Sequence, residues 1–285
     1  MSRIAYVNGR YVPRSEAGVS IEDRGYQFAD GVYEVCEVRA GRLIDERRHM
    51  ARLDRSLSEL RIARPMSPAA LSFVLHETVR RNRVRDGIVY LQITRGAAPR
   101  DFPFPAAGTQ PSVVATARSN DPAKLTQFAA DGIAVITVPD IRWQRVDIKS
   151  VSLLPNVLAK QAARDKGARE AWLVDEQGRI TEGASSNAWI VDKNGTLVTH
   201  PLGRDILPGI TRSVVIDVVK AQGIAFEERA FTVEEAYAAR EAFVTSASQI
   251  VQAVVSIDGR PVGNGAPGLI ASALRRDYHR FAEIS

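Results

Sequence analysis

Of the 38 basic side chains in this 285-residue chain, six are lysines and the other 32 are arginines. One of the six, Lys149, stands in RVDIKSVSLLPNVLAK, shortly before an apolar run that reads as the start of a helix. A guanidinium is always charged, whereas a lysine can shed its proton and act as an amine nucleophile. In a chain that almost always uses arginine for positive charge, Lys149 is a candidate for imine chemistry. A solvated loop lysine is the plain structural alternative.

Other chemistries lack their residues. The four histidines, His49, His76, His200 and His279, are far apart in sequence, and His76-Glu77 has no second histidine one turn on, so no metal pattern appears and each reads as a surface or capping residue. Neither the glycine fingerprint of dinucleotide folds nor the GxxxxGK[ST] phosphate loop is present. The single cysteine, Cys36, lies in VYEVCEV and reads as strand core rather than nucleophile.

Lysine-imine chemistry on pyridoxal phosphate needs an acid facing the pyridine nitrogen, a phosphate cup and a substrate clamp. Glu182, in ITEGASSN, is the acid candidate; Gly183 permits a tight turn there, and the small Ser185 and Ser186 permit close approach. Its alternative is an exposed turn glutamate. LPGITR runs straight into a helix, where the N–H groups of Ile210 and Thr211 would meet a dianion. Its alternative is an ordinary threonine cap. Ser246 in VTSAS and Arg52 in HMARL complete the candidate cup, Arg52 supplying a planar fork for phosphate oxygens.

The elements that must position these residues are legible in outline. MSRIAYVNGRYV alternates and turns at Asn8-Gly9, and GVYEVCEVRAGRLID alternates around Ala40-Gly41. Helical spacing links Met50, Leu53, Leu57 and Leu60; Ser67-Pro68 opens a second helix with Leu71, Val74, Leu75 and Val79 on its apolar face. DGIVYLQITRG and PSVVATARS read as strands. The polar, breaker-rich residues 119–132 read as an inter-domain connection. Beyond them come a strand at GIAVITVPD, a helix after DIKS, strands from AWLVDEQG to LVTH, a helix ending at Gly223, strands over EAFVTSASQIVQAVVSIDG and a last helix in LIASALRRDYHRF. Strands and helices mix without steady βαβ alternation, so the class is α+β.

Composition sets bounds on partners and compartment. A net charge of +5 is spread among interleaved acids, as in DERRHMARLDR, which argues against nucleic acid and suits steering of small anions. No apolar run approaches the roughly 20 residues of a membrane helix, no signal-peptide core opens the chain, and one cysteine suits a reducing cytoplasm.

DRGYQFADGVYEV, HMARL, YLQITRG, DIRWQRVDIKSVSLLPNVLAK, TEGASSN and LPGITR, in this order, resemble the fold type IV pyridoxal-phosphate aminotransferases. DRGYQFADGVYEV leans towards their D-amino-acid branch. The resemblance spans nearly the whole chain. It implies a small α/β N-terminal domain (1–118), the connection (119–132) and a larger pseudo-barrel domain (133–285) carrying the cofactor lysine. The implied cofactor is pyridoxal 5'-phosphate and the implied reaction a ping-pong transfer from a D-amino acid, of the D-alanine or D-glutamate type, to a 2-oxo acid. Lys149 is implied as the catalytic, cofactor-bearing residue, Glu182 as the pyridine partner, and Arg52, Ile210, Thr211, Ser246 and Ala247 as the phosphate site, with Ser185 and Ser186 nearby. Tyr33 and Arg100 are implied to hold the substrate carboxylate, Arg100 reaching in from the second subunit of a cytoplasmic homodimer. The related activities left open are branched-chain L-amino-acid transaminase, (R)-amine transaminase and aminodeoxychorismate lyase.

Three positions depart from the family pattern. Phe102 stands where a histidine of the carboxylate trap is usual, a lost donor costing about 1 kcal/mol of grip. Ala247 replaces a threonine, leaving only a backbone N–H, and Ala29 replaces a glycine, expected as a mild change.

Overall fold

The computed structural model describes residues 3–285, which divide into two compact units. One holds the described residues through Asn120 together with Ile148–Ser152 and Glu283–Ser285; the other holds Asp121–Asp147 and Leu153–Ala282.

The first unit contains β1 (Ile4–Val7), β2 (Arg10–Pro13), α1 (Arg24–Phe28), β3 (Gly31–Arg39), β4 (Arg42–Leu43), α2 (Glu46–Glu59), α3 (Pro68–Arg81), β5 (Gly87–Thr94) and β6 (Ser112–Ser119). Its six strands form one antiparallel sheet in the order β2-β1-β6-β5-β3-β4. The predicted α3 start is capped as expected: Ser67 Oγ accepts from Ala70 N at 3.3 Å and Pro68 takes the first position. Val32, Cys36 and Val38 from β3, Leu53 and Leu57 from α2, and Leu71, Val74, Leu75 and Val79 from α3 share one core.

Residues 148–152 join this unit for local reasons. Ile148 is buried in that core, Val151 N donates to Gly31 O at 3.0 Å, and Tyr33 N donates to Lys149 O at 3.0 Å. Lys149, expected on the C-terminal domain, is therefore grouped with the first unit.

The second unit contains α4 (Pro122–Asp131), β7 (Ile133–Pro139), α5 (Leu154–Asp165), β8 (Glu170–Val174), β9 (Arg179–Gly183), β10 (Asn187–Val191), β11 (Leu197–Thr199), α6 (Ile210–Gln222), β12 (Phe226–Glu228), β13 (Phe231–Thr232), α7 (Val233–Tyr237), β14 (Glu241–Ser246), β15 (Ile250–Ile257), β16 (Arg260–Pro261) and α8 (Leu269–Phe281). Its mixed sheet runs β12-β11-β10-β14-β15-β7-β8-β9-β13, with β16 on β15. The parallel pair β7 and β8 is bridged by α5, whose Ala159 and Ala163 pack on Ile136, Ala171 and Leu173. The α+β class holds.

The expected connection 119–132 is largely the helix α4. Asp121 accepts from Ala123 N at 3.1 Å and Lys124 N at 3.3 Å, and Pro122 sits at the first turn, where proline starts a helix instead of breaking it. Among the described residues, no helix is long and apolar enough to cross a membrane.

Candidate active site

Period-two alternation along β3 turns Val32, Glu34, Cys36 and Val38 towards the core. Glu34 is a carboxylate only 1% exposed, and α2 receives it. There, His49, Arg52 and Ser56 lie at i, i+3 and i+7 on one face. Arg52 donates from Nε and Nη2 to the two oxygens of Glu34 at 2.8 Å each, and His49 Nδ1 lies 2.7 Å from Oε2. Burial opposes a charged Glu34, but Arg52 and His49 reverse it and hold the carboxyl far below the usual range. Burial pushes the His49 imidazole down, and the charges of Arg52 and Lys149 add to that lowering against the hydrogen bond with Glu34.

Lys149 belongs to the same cluster. Its N–H donates to Ser56 Oγ at 3.3 Å, and its Nζ lies 4.2 Å from the centroid of the Tyr33 ring. Tyr33 stacks on Tyr90 at 5.8 Å, and burial, with Tyr33 beside it, pushes the Tyr90 hydroxyl up to about 12. Tyr33, Arg52 and Lys149, predicted from separate stretches, are thus brought together.

Arg100 and Phe102 occupy the loop between β5 and β6. The Arg100 guanidinium sits 4.6 Å from the Phe28 ring centroid, and Phe102, 81% exposed, packs on the same ring at 5.6 Å. Buried Arg24 anchors the loop, donating to Asp101 O at 2.6 Å and Phe102 O at 3.3 Å.

In the second unit, Glu182 on β9 is buried rather than an exposed turn residue. Its Oε1 accepts from Arg142 Nη1, and its Oε2 accepts from Asn187 Nδ2 at 2.9 Å and Leu207 N at 3.1 Å. Asn187 Nδ2 also donates to Leu207 O at 3.0 Å. A Cβ on Gly209 would collide with Asn187 Oδ1, so only glycine lets the start of α6 close on Asn187. Glu182 is tied in this way to the turn that presents Ile210 and Thr211. No side chain caps α6 at Gly209, and Thr211 is buried.

Ser185 and Ser186 both donate to Glu170 Oε2, at 2.7 and 3.0 Å. Ser246 and Ala247 are half-buried where β14 turns into β15. At the far side of that turn Ile250 has φ 61°, a conformation costing a branched residue about 1–3 kcal/mol. Arg275 holds it there, donating to Gln249 O at 2.5 Å and Val251 O at 2.6 Å.

Several residues of these clusters were not legible beforehand. His49 and His200 are buried, not surface residues. Glu34 had a signal, a charge on the core-facing register of an apolar strand; Arg142 and Asn187 lie in the quoted segments DIRWQRVDIKS and TEGASSN, but their partners Glu182 and Leu207, like those of Glu170, are distant in sequence. Among the described residues, no group of three or more His, Cys, Asp or Glu could hold a metal.

Residues 31–257 match the amino-transferase class IV family. The chain is 46% identical over 262 residues to the D-alanine aminotransferase of Bacillus licheniformis, covering 92% of this chain and 90% of that one. It is 40% identical over 279 residues to the D-alanine aminotransferase of Staphylococcus haemolyticus, covering 98% and 97%. The branched-chain aminotransferase of the thermophilic archaeon Thermoproteus uzoniensis, solved with norvaline, superposes with a TM-score of 0.86 at 27% identity, covering 100% of this chain and 99% of that one.

Proposed function

The chain belongs to the class IV aminotransferases, and from that premise we propose that it moves the amino group of a D-amino acid, of the D-alanine or D-glutamate type, to a 2-oxo acid with pyridoxal 5'-phosphate as cofactor. The observation that carries this reading is Lys149, fixed through its backbone on Tyr33 and Ser56 with its amine over the Tyr33 ring.

The donor set suits such a cofactor. Arg52 is a buried cation, the first turn of α6 offers N–H groups that no side chain caps, and Glu182 is a buried carboxylate fed by three N–H donors. When bound, pyridoxal phosphate supplies an electron sink that makes the substrate Cα–H acidic. Lys149 would bear the cofactor and, as a free amine, would hold the Cα proton on Nζ and pass it to the cofactor carbon, with the reverse transfer serving the second half-reaction. Glu182 would pair with the pyridine nitrogen and keep it protonated. Arg52, Ile210, Thr211, Ser246 and the Ala247 N–H would hold the phosphate, with Ser185 and Ser186 nearby. Tyr33 and Arg100 hold the substrate carboxylate.

The enzyme is read as a homodimer in which Arg100 serves the neighbouring site; an anchored loop with Phe102 81% exposed supports that reading. The free, buried thiol of Cys36 supports a cytoplasmic setting.

Borohydride reduction of the holoenzyme, digestion and mass analysis should find the pyridoxyl label on Lys149. With D-alanine and 2-oxoglutarate the enzyme should release pyruvate, and Lys149→Ala should not. Label at another residue, or faster turnover of L-leucine than of D-alanine, refutes the assignment.

A further inference from the structure

Arg142 lies three residues beyond β7, and its side chain is 4% exposed. It is locked onto Asp140, Nε reaching Oδ1 at 2.9 Å and Nη2 reaching Oδ2 at 2.7 Å. Nη2 also donates to Asp205 O at 3.0 Å and meets Thr181 Oγ1 at 3.3 Å. This bidentate clamp fixes the guanidinium plane and aims Nη1 at Glu182 Oε1. Burial opposes the charge on Arg142, but Asp140 and Glu182 outweigh it and hold the guanidinium protonated.

Each N–H donor on Glu182 stabilises its anion over its acid, and Arg142 is the charged one of the three. Ionised, Asp140, Arg142 and Glu182 carry one negative charge in excess. A buried cluster of that charge favours a cation as its next neighbour. We propose that Arg142 is a positioning residue for Glu182: by holding this carboxylate ionised and fixed, it keeps the proton shared with the cofactor on the pyridine nitrogen instead of on Glu182. The inference rests on the reading of Glu182 as the pyridine partner.

The test loads wild-type, Arg142→Lys and Arg142→Met enzymes with cofactor labelled with nitrogen-15 in the ring and reads its NMR shift. Wild-type and Arg142→Lys should give the protonated-ring position, and Arg142→Met should move towards the unprotonated one. Its kcat should fall roughly tenfold or more with KM unchanged. A wild-type ring that is already unprotonated refutes the reading of Glu182. A protonated wild type with an equally protonated Arg142→Met refutes the role of Arg142 alone. If Arg142→Met does not fold, Asp140→Asn is added to remove the carboxylate that loses its clamp, and the same nitrogen-15 shift is read. A ring still protonated in that double variant overturns the proposal, and a shift towards the unprotonated position supports it.

Discussion

Glu34 accepts two parallel hydrogen bonds from the guanidinium of Arg52, each 2.8 Å long, across the face between β3 and α2. The pair is almost wholly buried, with side chains 1% and 7% exposed. In the proposed phosphate site, Glu34 would set the plane of the Arg52 guanidinium. Removing one partner of a buried pair is costly, so Glu34→Ala should lose about 3–5 kcal/mol of stability in urea denaturation. Its affinity for pyridoxal phosphate should fall roughly tenfold or more, while its affinity for phosphate-free pyridoxal should not change. Equal losses for both ligands would contradict a role directed at the phosphate.

Acid should lower the stability of the protein in two steps. Glu34 and His49 are both held below their ordinary values, so the unfolded chain binds more protons and stability falls as pH falls. The His49 contribution should decline as pH drops below about 6.5, and that of Glu34 below about 4.3. Urea midpoints measured across this range should show both steps, and His49→Asn should remove the first and shrink the second, because His49 also helps hold Glu34 low.

Ala29 closes α1 with φ 56°, in the left-handed region that disfavours a Cβ. The expected mild change is therefore a local strain. Ala29→Gly should raise stability by about 1 kcal/mol, read as a higher urea midpoint at unchanged slope.

Phe102 offers no hydrogen-bond donor from its side chain where the family pattern has one. Phe102→His should raise kcat/KM for D-alanine about fivefold, the equivalent of roughly 1 kcal/mol. Steady-state assays with D-alanine, D-glutamate and D-phenylalanine should show the gain across all three, because the added donor addresses the carboxylate they share. A gain for one side chain only would place Phe102 at the side-chain pocket instead.

Much of the architecture follows from local chemistry. The Ser67 cap with Pro68, the apolar stripe of α3 and the turns at Asn8-Gly9 and Ala40-Gly41 depend on residues within a few positions of each other. The α4 signal was equally local, yet Asp121-Pro122 resembles a breaker unless proline is weighed as a helix starter. The candidate site residues Lys149, Glu182 and Thr211 could be singled out because few alternatives surround them: a rare lysine, a glycine-flanked acid and a threonine at a helix start.

Their settings were not legible, and the reason is range. Arg142 meets Glu182 40 positions away, and Glu34 meets Arg52 18 away, through packing that no spacing rule encodes. Lys149 follows the first unit because Ile148 is buried there and backbone hydrogen bonds tie the segment to Gly31 and Tyr33. By itself, the amino-acid order determined which helices and strands form and which side chains have the right chemistry. Only the folded chain decided which buried charge faces which, because an ion pair's strength depends on solvent exclusion and geometry, and both arise when distant segments pack.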